Sequence, residues 1–275
     1  MKRTLFGIFL LFLLAAGWLS RSALRDAYDG LTRPQVPTAQ PASLEHAERA
    51  DIGSSANNVS AETASAGAVN TPANTNADDA PLLPAEVNLD VPFTSQAPDA
   101  NWNLPYQEAC EETAALMVHR FWHNQAFASK EDADTAIREV VDFEEKQYGS
   151  YKDTTADETA RFIRDLWGYT RVDVFKGSEV TIDRIKREVA DSNPVIVLAN
   201  GRELYNPNYR QPGPIYHALV IKGYTKRGMI ITNDPGTRKG ADYLYDPNVL
   251  LNAVHDWNDG DVASGQRVML IIRGR

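Results

Sequence analysis

Three side-chain types in the sequence are those that nucleophilic chemistry needs: a cysteine, a histidine and an aspartate. Cys110 is the only cysteine among the 275 residues, and a cysteine thiolate is a nucleophile. His217 and Asp234 lie 17 positions apart in a region rich in strand-forming residues. An aspartate beside a histidine ring fixes one ring nitrogen as a donor and leaves the other free as a base. Together the three types predict acyl transfer through the sulfur, provided that the fold brings them together.

A helix between about residues 108 and 123 is predicted to carry the cysteine in its first turn. An apolar stripe repeats there at helical spacing, formed by Ala114, Met117, Val118, Phe121 and Trp122. The N-terminus of a helix favours the thiolate over the thiol. Glu108, Glu111 and Glu112 crowd the same turn, and nearby carboxylates oppose a thiolate unless they point away. The helix start alone therefore leaves open both a reactive thiol and a small buried side chain.

A predicted hairpin brings the histidine towards the aspartate. Residues 216–224 and 229–233 are apolar, strand-like segments on either side of a short turn. In this register His217 lies opposite Gly236, and Asp234 lies two residues along on the same face, about 7–8 Å away at Cα. A slip of one residue would put the pair on opposite faces. Each residue also has an ordinary alternative role, as a strand-end histidine bonded to backbone and as a turn-forming aspartate before Pro235.

The other segments of the folded region predict helices first and antiparallel strands later, which is typical of the α+β class. Further helices are expected at residues 129–141, 155–167, 181–191 and 247–256, and further strands at 87–91, 172–175, 194–199 and 267–273. The acidic stretch 139–155 is interpreted as a surface excursion. The long loop 200–214 could line a cleft, but its Tyr205 and Tyr209 are interpreted as ordinary surface anchors.

The N-terminal third of the chain predicts targeting and spacing rather than a core. Lys2 and Arg3 precede an apolar run at residues 5–19, which is the form of an export signal. An uncleaved membrane anchor over residues 1–28 is favoured over a cleaved signal peptide, so the protein is expected on the extracytoplasmic side of the cell membrane, or secreted if cleaved. Residues 29–83 are polar and lack aromatic residues, which predicts a disordered tether. The globular domain is expected at residues 84–275.

Charge and composition exclude some partners. The net charge of −9 and the pI of about 5.1 argue against nucleic-acid binding, because phosphate contacts need a basic surface. A single cysteine cannot form an internal disulfide. No spacing of histidines and carboxylates resembles a zinc site, so neither a metal nor a cofactor is expected.

Four segments, in this order, resemble the papain-like cysteine peptidases, in particular the family related to bacteriocin-leader (double-glycine) peptidases. They are VPFTSQ at residues 91–96, YQEACEETAALM at 106–117, HALVIKGY at 217–224 and NDPGT at 233–237. Together they run through nearly the whole domain, from about residue 87 to 273. The resemblance implies a papain-like α+β fold, in which a helical part with the nucleophile helix packs on an antiparallel sheet, and a peptide or protein substrate.

The resemblance also implies roles for individual residues. Cys110 would be the nucleophile, His217 the general base and then acid, and Asp234 the orienting carboxylate. Gln96 would stabilise the oxyanion together with the Cys110 backbone N–H. The glutamine of the family usually lies only a few residues before the cysteine, so Gln107 competes with Gln96, which is favoured because VPFTSQ matches the motif. A second departure is Glu111, because many relatives carry glycine after the cysteine.

These observations predict a membrane-tethered extracytoplasmic cysteine peptidase. Two alternatives remain open at this point. One is a cell-wall peptide hydrolase that uses the same three residues. The other is a catalytically silent papain-like domain that binds peptides or cell-wall polymers, which the acidic first turn around Cys110 favours.

Overall fold

The computed structural model describes residues 35–42 and 83–274. The anchor or signal predicted at residues 1–28 and most of the tether predicted at 29–83 lie outside these residues. The chain divides into two compact units after Val36, and all elements named below belong to the second, Pro37–Arg275. No helix within the described ranges has the length and apolar character that crossing a membrane requires.

The described region contains five helices, most of them early in the domain. They are α1 Cys110–Trp122, α2 Lys130–Tyr148, α3 Ala156–Trp167, α4 Ile182–Ala190 and α5 Pro247–Ala253. A single 3-10 turn at Tyr106–Glu108 leads into α1. The predicted cysteine helix is therefore present, and Cys110 is its first residue.

Among the described residues, seven strands form one antiparallel sheet. They are β1 Val87–Asn88, β2 Val172–Lys176, β3 Val195–Ala199, β4 His217–Tyr224, β5 Ile230–Asn233, β6 Tyr243–Tyr245 and β7 Val268–Ile272. The strand order is β2-β7-β3-β4-β5-β6, and β1 pairs with β4 beside this path. Every residue of β3, β4 and β7 is buried. The predicted α+β class, with the cysteine helix packed on an antiparallel sheet, is confirmed.

The cysteine helix is more deeply buried than its apolar stripe indicates. Eleven residues of α1 are buried, including Glu111 and Glu112, and only His119 and Arg120 are partly exposed. One side of α1 packs on β4, and the opposite side packs on α2 and α3. The carboxyl groups of the first turn are thus enclosed by protein, so the surrounding residues determine whether they are ionised.

Local capping signals define α3 as the sequence predicts. Thr155 accepts a hydrogen bond from the Glu158 N–H, and the Glu158 side chain accepts from the Thr155 N–H. This capping box satisfies two backbone donors that the helix leaves unpaired. Gly168 ends the helix in the left-handed conformation, with φ of 69°, where a residue with a Cβ would be strained.

One expectation about an element was wrong, and one strand was missed. Helix α2 continues to Tyr148, so most of the stretch predicted as a surface excursion is helical. Its inward face continues past Val141 to the buried Glu144, and Gly149 ends it with φ of 86°. Because this inward residue is a glutamate, the spacing of the apolar residues does not show that the helix continues. Strand β6 was not predicted, because it is only three residues long and two of them are partly exposed.

A short segment within the predicted tether lies against the domain. Gln40 pairs in parallel with Leu89, donating to the Asn88 carbonyl at 2.7 Å and accepting from the Asp90 N–H at 2.6 Å. The Asn88 side chain also donates to the Pro37 carbonyl at 2.9 Å. Gln40 therefore forms an isolated bridge with the residue that follows β1, whereas residues 43–82 lie outside the described part of the chain.

Candidate active site

The predicted nucleophile and base lie in the same cleft. Cys110, the first residue of α1, and His217, the first residue of β4, both line a cleft of about 710 Å³. The backbone N–H of Ala218, next to His217, acts on the Cys110 sulfur and lowers the pKa of the thiol. Packing of α1 on β4 therefore brings together two residues that lie more than one hundred positions apart in the sequence.

The hairpin has the register that the sequence predicts around the histidine. Val220 pairs with Asn233, the register in which His217 is predicted opposite Gly236, and Gly236 lies against the His217 ring just beyond the end of β5. A bulge between Ile221 and Gly223 shifts the pairing by one residue nearer the turn, and its position is not visible in the apolar pattern. A Cβ on Gly236 would lie 2.8 Å from Cε1 of His217, so glycine is needed for this close approach.

Asp234 lies directly behind the histidine ring. Its Oδ1 is 2.8 Å from Nε2 of His217, and the two side chains are 0% and 1% exposed. With Nε2 held by the carboxylate, Nδ1 is the ring nitrogen that remains to exchange a proton with the thiol. This contact is the one that the predicted hairpin requires.

Asp234 is held by several other donors. Its Oδ1 accepts from the Gly236 N–H, and its Oδ2 accepts from the Asn206 amide at 3.0 Å and from the hydroxyls of Tyr209 and Tyr245, each at 2.6 Å. Burial acts to raise the pKa of Asp234, but the neighbouring His217 and these donors hold that pKa below its usual value. The carboxylate is thus charged and fixed in orientation.

The two tyrosines were missed as site residues. Tyr209 is buried and packs edge-on against the His217 ring at 5.4 Å, so its interpretation as a surface anchor was wrong. Tyr205 in the same loop is 77% exposed. Burial and the charge of Asp234 raise the pKa of Tyr209 and of Tyr245, which keeps both hydroxyls protonated as donors. The loop composition, with Tyr205 and Tyr209 before the histidine strand, gave a signal for Tyr209 but none for Tyr245.

The cysteine is held as a thiol by its neighbour. The Cys110 S–H donates to Oε2 of Glu111 at 2.9 Å. Burial, followed by the negative charges of Glu111 and Glu112, raises the pKa of the Cys110 thiol well above its usual value, while the Ala218 N–H acts in the opposite direction. Glu111 and Glu112 are buried and do not point away into solvent, so the acidic first turn does oppose formation of the Cys110 thiolate.

Three buried carboxyl groups lie together beneath the cysteine: Glu111, Glu112 and Glu144. Burial and their mutual repulsion raise the pKa of all three, that of Glu144 to about 8. No protein donor in the described residues reaches the oxygens of Glu112 or Glu144, and the negative charge of Glu144 raises the pKa of Glu112. Such a pair needs at least one proton. Glu144 comes from α2, so the sequence around Cys110 gave no sign of it.

Gln96 lines the cleft, as does its competitor Gln107. The Gln96 amide donates to the carbonyls of Tyr106 at 2.9 Å and Gln107 at 3.3 Å, and its Oε1 is buried without a donor among the described residues. It therefore braces the turn that leads into Cys110. Gln107 instead donates to the Glu108 carboxylate, in an exposed contact at 2.7 Å.

The remaining described histidines serve packing. His119 stacks on Trp167 at 4.3 Å and is hydrogen-bonded to Tyr169. His255 is hydrogen-bonded to the Gly265 carbonyl at 2.7 Å. His123 is exposed at the end of α1. None of these residues is among those that line the described cleft, while His46 lies outside the described residues.

The family model described as "Peptidase_C39 like family" matches residues 88–259. No curated protein matches the sequence significantly. A solved C39-like protein from Bacillus anthracis aligns at 14% identity over 69% of this chain and 99% of its own, with a TM-score of 0.44. A prointerpain A fragment from Prevotella intermedia aligns at 16% identity over 52% of this chain and 42% of its own, with a TM-score of 0.35.

Proposed function

The chain belongs to the Peptidase_C39 like family, and we propose that it is a cysteine peptidase that cleaves peptide bonds through Cys110, His217 and Asp234. The observation that carries the proposal is the arrangement of these three side chains. The thiol and the imidazole line one cleft, and a buried carboxylate holds the far side of the ring at 2.8 Å. This geometry suits acyl transfer, since a base must be oriented before it can take the thiol proton.

The first half of the reaction forms the acyl-enzyme. Nδ1 of His217 takes the proton of Cys110, and the sulfur attacks the peptide carbonyl carbon, forming the C–S bond. The negative charge moves to the carbonyl oxygen, which the Cys110 backbone N–H and the Gln96 amide stabilise. The Gln96 N–H used for this purpose is the one that makes the longer contact, 3.3 Å, to the Gln107 carbonyl. Collapse breaks the C–N bond, and the imidazolium protonates the leaving amine.

The second half releases the product. Water enters the cleft, His217 takes one of its protons, and the hydroxide oxygen attacks the thioester carbonyl. The C–S bond then breaks, and the proton returns to the sulfur. Asp234 stays ionised throughout, because its donors and the adjacent ring hold the pKa of its carboxyl low, and it stabilises the imidazolium that forms in both halves.

The ionisation of Glu111 determines how easily the thiol proton leaves. A charged Glu111 holds this proton and opposes the thiolate. Burial and the neighbouring Glu112 raise the pKa of Glu111, which favours the neutral acid, and the neutral acid removes one of the two charges that act on the sulfur. A neutral Glu111 can also donate its own proton in a hydrogen bond to the thiolate.

We also propose that the N-terminal segment holds the domain outside the cell membrane, or directs its secretion if it is cleaved. The support is the sequence pattern of Lys2, Arg3 and the apolar run at residues 5–19. Fractionation of expressing cells tests this. The full chain is expected with the membrane or in the medium, and a chain that lacks residues 1–28 is expected in neither. Equal distributions of the two chains would exclude an export role.

Hydrolysis of a fluorogenic peptide library tests the peptidase function. Wild-type protein is expected to cleave a subset of peptides, whereas Cys110→Ala and His217→Ala are expected to cleave none. Cleavage retained by Cys110→Ala would show that another group performs the chemistry. Adding cell-wall peptides to the library separates a general peptidase from a cell-wall peptide hydrolase, because the two share the same machinery and differ in substrate.

A catalytically silent domain that binds peptides or cell-wall polymers is the second candidate. The observation that favours it is the hydrogen bond from the Cys110 thiol to Glu111, together with the raised pKa of that thiol. Such a domain would bind peptides from the library without cleaving any of them. Its Cys110 would also react slowly with alkylating reagents, whether or not His217 is present.

A further inference from the structure

The walls of the cleft have a charge opposite to that of the whole protein. The chain carries 37 acidic and 28 basic residues. Among the described residues that line the cleft, Lys130, Arg210 and Arg238 are basic, and none is aspartate or glutamate. The acidic groups near the cysteine are buried behind the wall, where the raised pKa values of their carboxyls favour the neutral form. A substrate that enters the cleft is therefore exposed to positively charged side chains.

The two arginines stand close to the histidine. Arg210 follows Tyr209, whose ring packs on His217, and Arg238 lies two residues after Gly236, which abuts the same ring. Two residues of chain span at most about 7 Å. The arginines thus come from two different loops, and both line the cleft together with His217.

Both guanidinium groups are unengaged and exposed. In the part of the chain that the structure describes, no ion pair or hydrogen bond involves the side chain of Arg210 or Arg238, and both residues are exposed. Other arginines of the domain are paired, such as Arg120 with Asp132 and Arg273 with Glu188. A guanidinium presents a planar fork of donors that matches a carboxylate, so two free ones at a cleft are suited to an acidic ligand.

We propose that the cleft selects acidic peptides, whose aspartate or glutamate side chains flank the bond to be cleaved and pair with Arg210 and Arg238. This inference rests on the proposed function for the choice of a peptide over other anions. The field of the cleft also attracts such peptides against the repulsion of the protein's overall negative charge. Trp102, which is 37% exposed, adds an apolar wall for the rest of the peptide.

Fluorescence anisotropy of full-length Cys110→Ser protein in a nonionic detergent tests the proposal without requiring catalysis. The probes are three labelled ten-residue peptides of identical backbone, with four Glu, four Gln or four Lys residues. The acidic peptide is expected to bind about tenfold more tightly than the Gln peptide at low salt, and this preference is expected to shrink as ionic strength rises. Adding Arg210→Gln and Arg238→Gln is expected to remove most of it.

A matched pair of substitutions controls for net charge. Lys146→Gln lies about 24 Å along α2 from Lys130, and Arg227→Gln lies in the turn at the far end of β4 from His217. This double variant is expected to bind the acidic peptide as the parent does. Equal binding of the acidic and Gln peptides would overturn the proposal, as would an equal loss in the control variant. Tighter binding of a polyphosphate of the same charge would show a general anion site instead.

Parallel cleavage assays separate this inference from the proposed function. If wild-type protein cleaves Gln peptides as fast as acidic ones, the acidic preference is wrong and the peptidase stands. If acidic peptides bind selectively and no peptide is cleaved, the preference stands and the peptidase is wrong.

Discussion

At the scale of single residues, the orientation of His217 depends on groups that do not themselves take part in bond making. Tyr245 does not line the described cleft, yet its hydroxyl donates to Asp234 at 2.6 Å. Each such donor lowers the pKa of the aspartate and fixes its position. Tyr245 is therefore a positioning residue that acts on the base through the carboxylate.

Tyr245→Phe removes one donor from Asp234. The pKa of Asp234 should then rise, so that activity is lost at a higher pH as the solution is acidified, and kcat should fall about fivefold with little change in KM. The pH profile of kcat measures both effects. Tyr205→Phe, at an exposed position of the neighbouring loop, is the control and should match wild type. If Tyr245→Phe lowered the stability of the protein but left the pH profile of kcat as in wild type, the positioning role would be contradicted.

Glu111→Gln removes the charge that holds the Cys110 proton. Burial still raises the pKa of the thiol, but the second-largest cause disappears, so the pH midpoint of Cys110 alkylation should fall. This fall should be on the order of one pKa unit, whereas the rate at pH 7, where burial favours the neutral form of Glu111, should change little. Glu108→Gln, at the exposed turn before α1, is the matched control. An unchanged midpoint in Glu111→Gln would contradict the role of this carboxyl in holding the thiol proton.

The central residues could be singled out from the sequence as candidates because each carries a local signal, whereas their roles were implied by the family resemblance. Cys110 follows from its uniqueness and helix start, and the His217–Asp234 contact follows from hairpin spacing. The support for Asp234 was not accessible. Asn206, Tyr209 and Tyr245 reach it from a loop and from a strand that was not predicted, and no local pattern reports such long-range contacts.

At the scale of elements, the β4–β5 hairpin sets the geometry of the base. Its register places Gly236 against the His217 ring, and the chain turns there so that the Gly236 N–H donates to Asp234 at 3.0 Å. The site thus requires one residue without a side chain at the point where the turn meets the imidazole.

Gly236→Ala should displace the His217 ring. The new Cβ would lie 2.8 Å from Cε1 of His217 and 3.0 Å from the Tyr209 ring, which is closer than packed carbon atoms approach. We expect kcat to fall at least about tenfold, because small misplacements of a catalytic group are costly, while the melting temperature changes little. Wild-type kcat in this variant would show that the ring has room to move.

Element boundaries were predicted well where the chain carries its own caps. Thr155 and Gly168 bracket α3 as expected. Helix α2 was predicted too short because the buried residue of its later turns is the acidic Glu144. Pattern reading treats a glutamate as a solvent-facing residue, and only the packing of α2 on α1 reveals that this one is inside.

At the scale of the whole molecule, the buried acids couple stability to pH. The pKa of Glu144 is about 8 in the folded protein, against an ordinary value of 4.5. Below pH 4.5 both folded and unfolded states hold the proton, so the contribution to stability is fully present. As pH rises towards 8, the unfolded chain releases its proton first, and the free energy of unfolding falls.

Glu144→Gln should remove much of this dependence. Wild-type protein should lose on the order of a few kcal/mol of unfolding free energy between pH 5 and pH 8, measured by urea unfolding at several pH values. The variant should lose distinctly less. Glu145→Gln, the exposed neighbour on α2, should behave as wild type. Parallel pH dependences in all three proteins would show that the Glu112–Glu144 pair does not hold an extra proton.

The proposed reaction depends on proton exchange between the Cys110 thiol in α1 and the His217 imidazole in β4. The rate constant for alkylation of Cys110 by iodoacetamide at pH 7, compared between wild type and His217→Ala, measures this directly, because Cys110 is the only cysteine in the chain. The account predicts a wild-type rate at least about tenfold above that of the variant. Slow, equal rates in two folded proteins would contradict it and leave a domain that binds without cleaving.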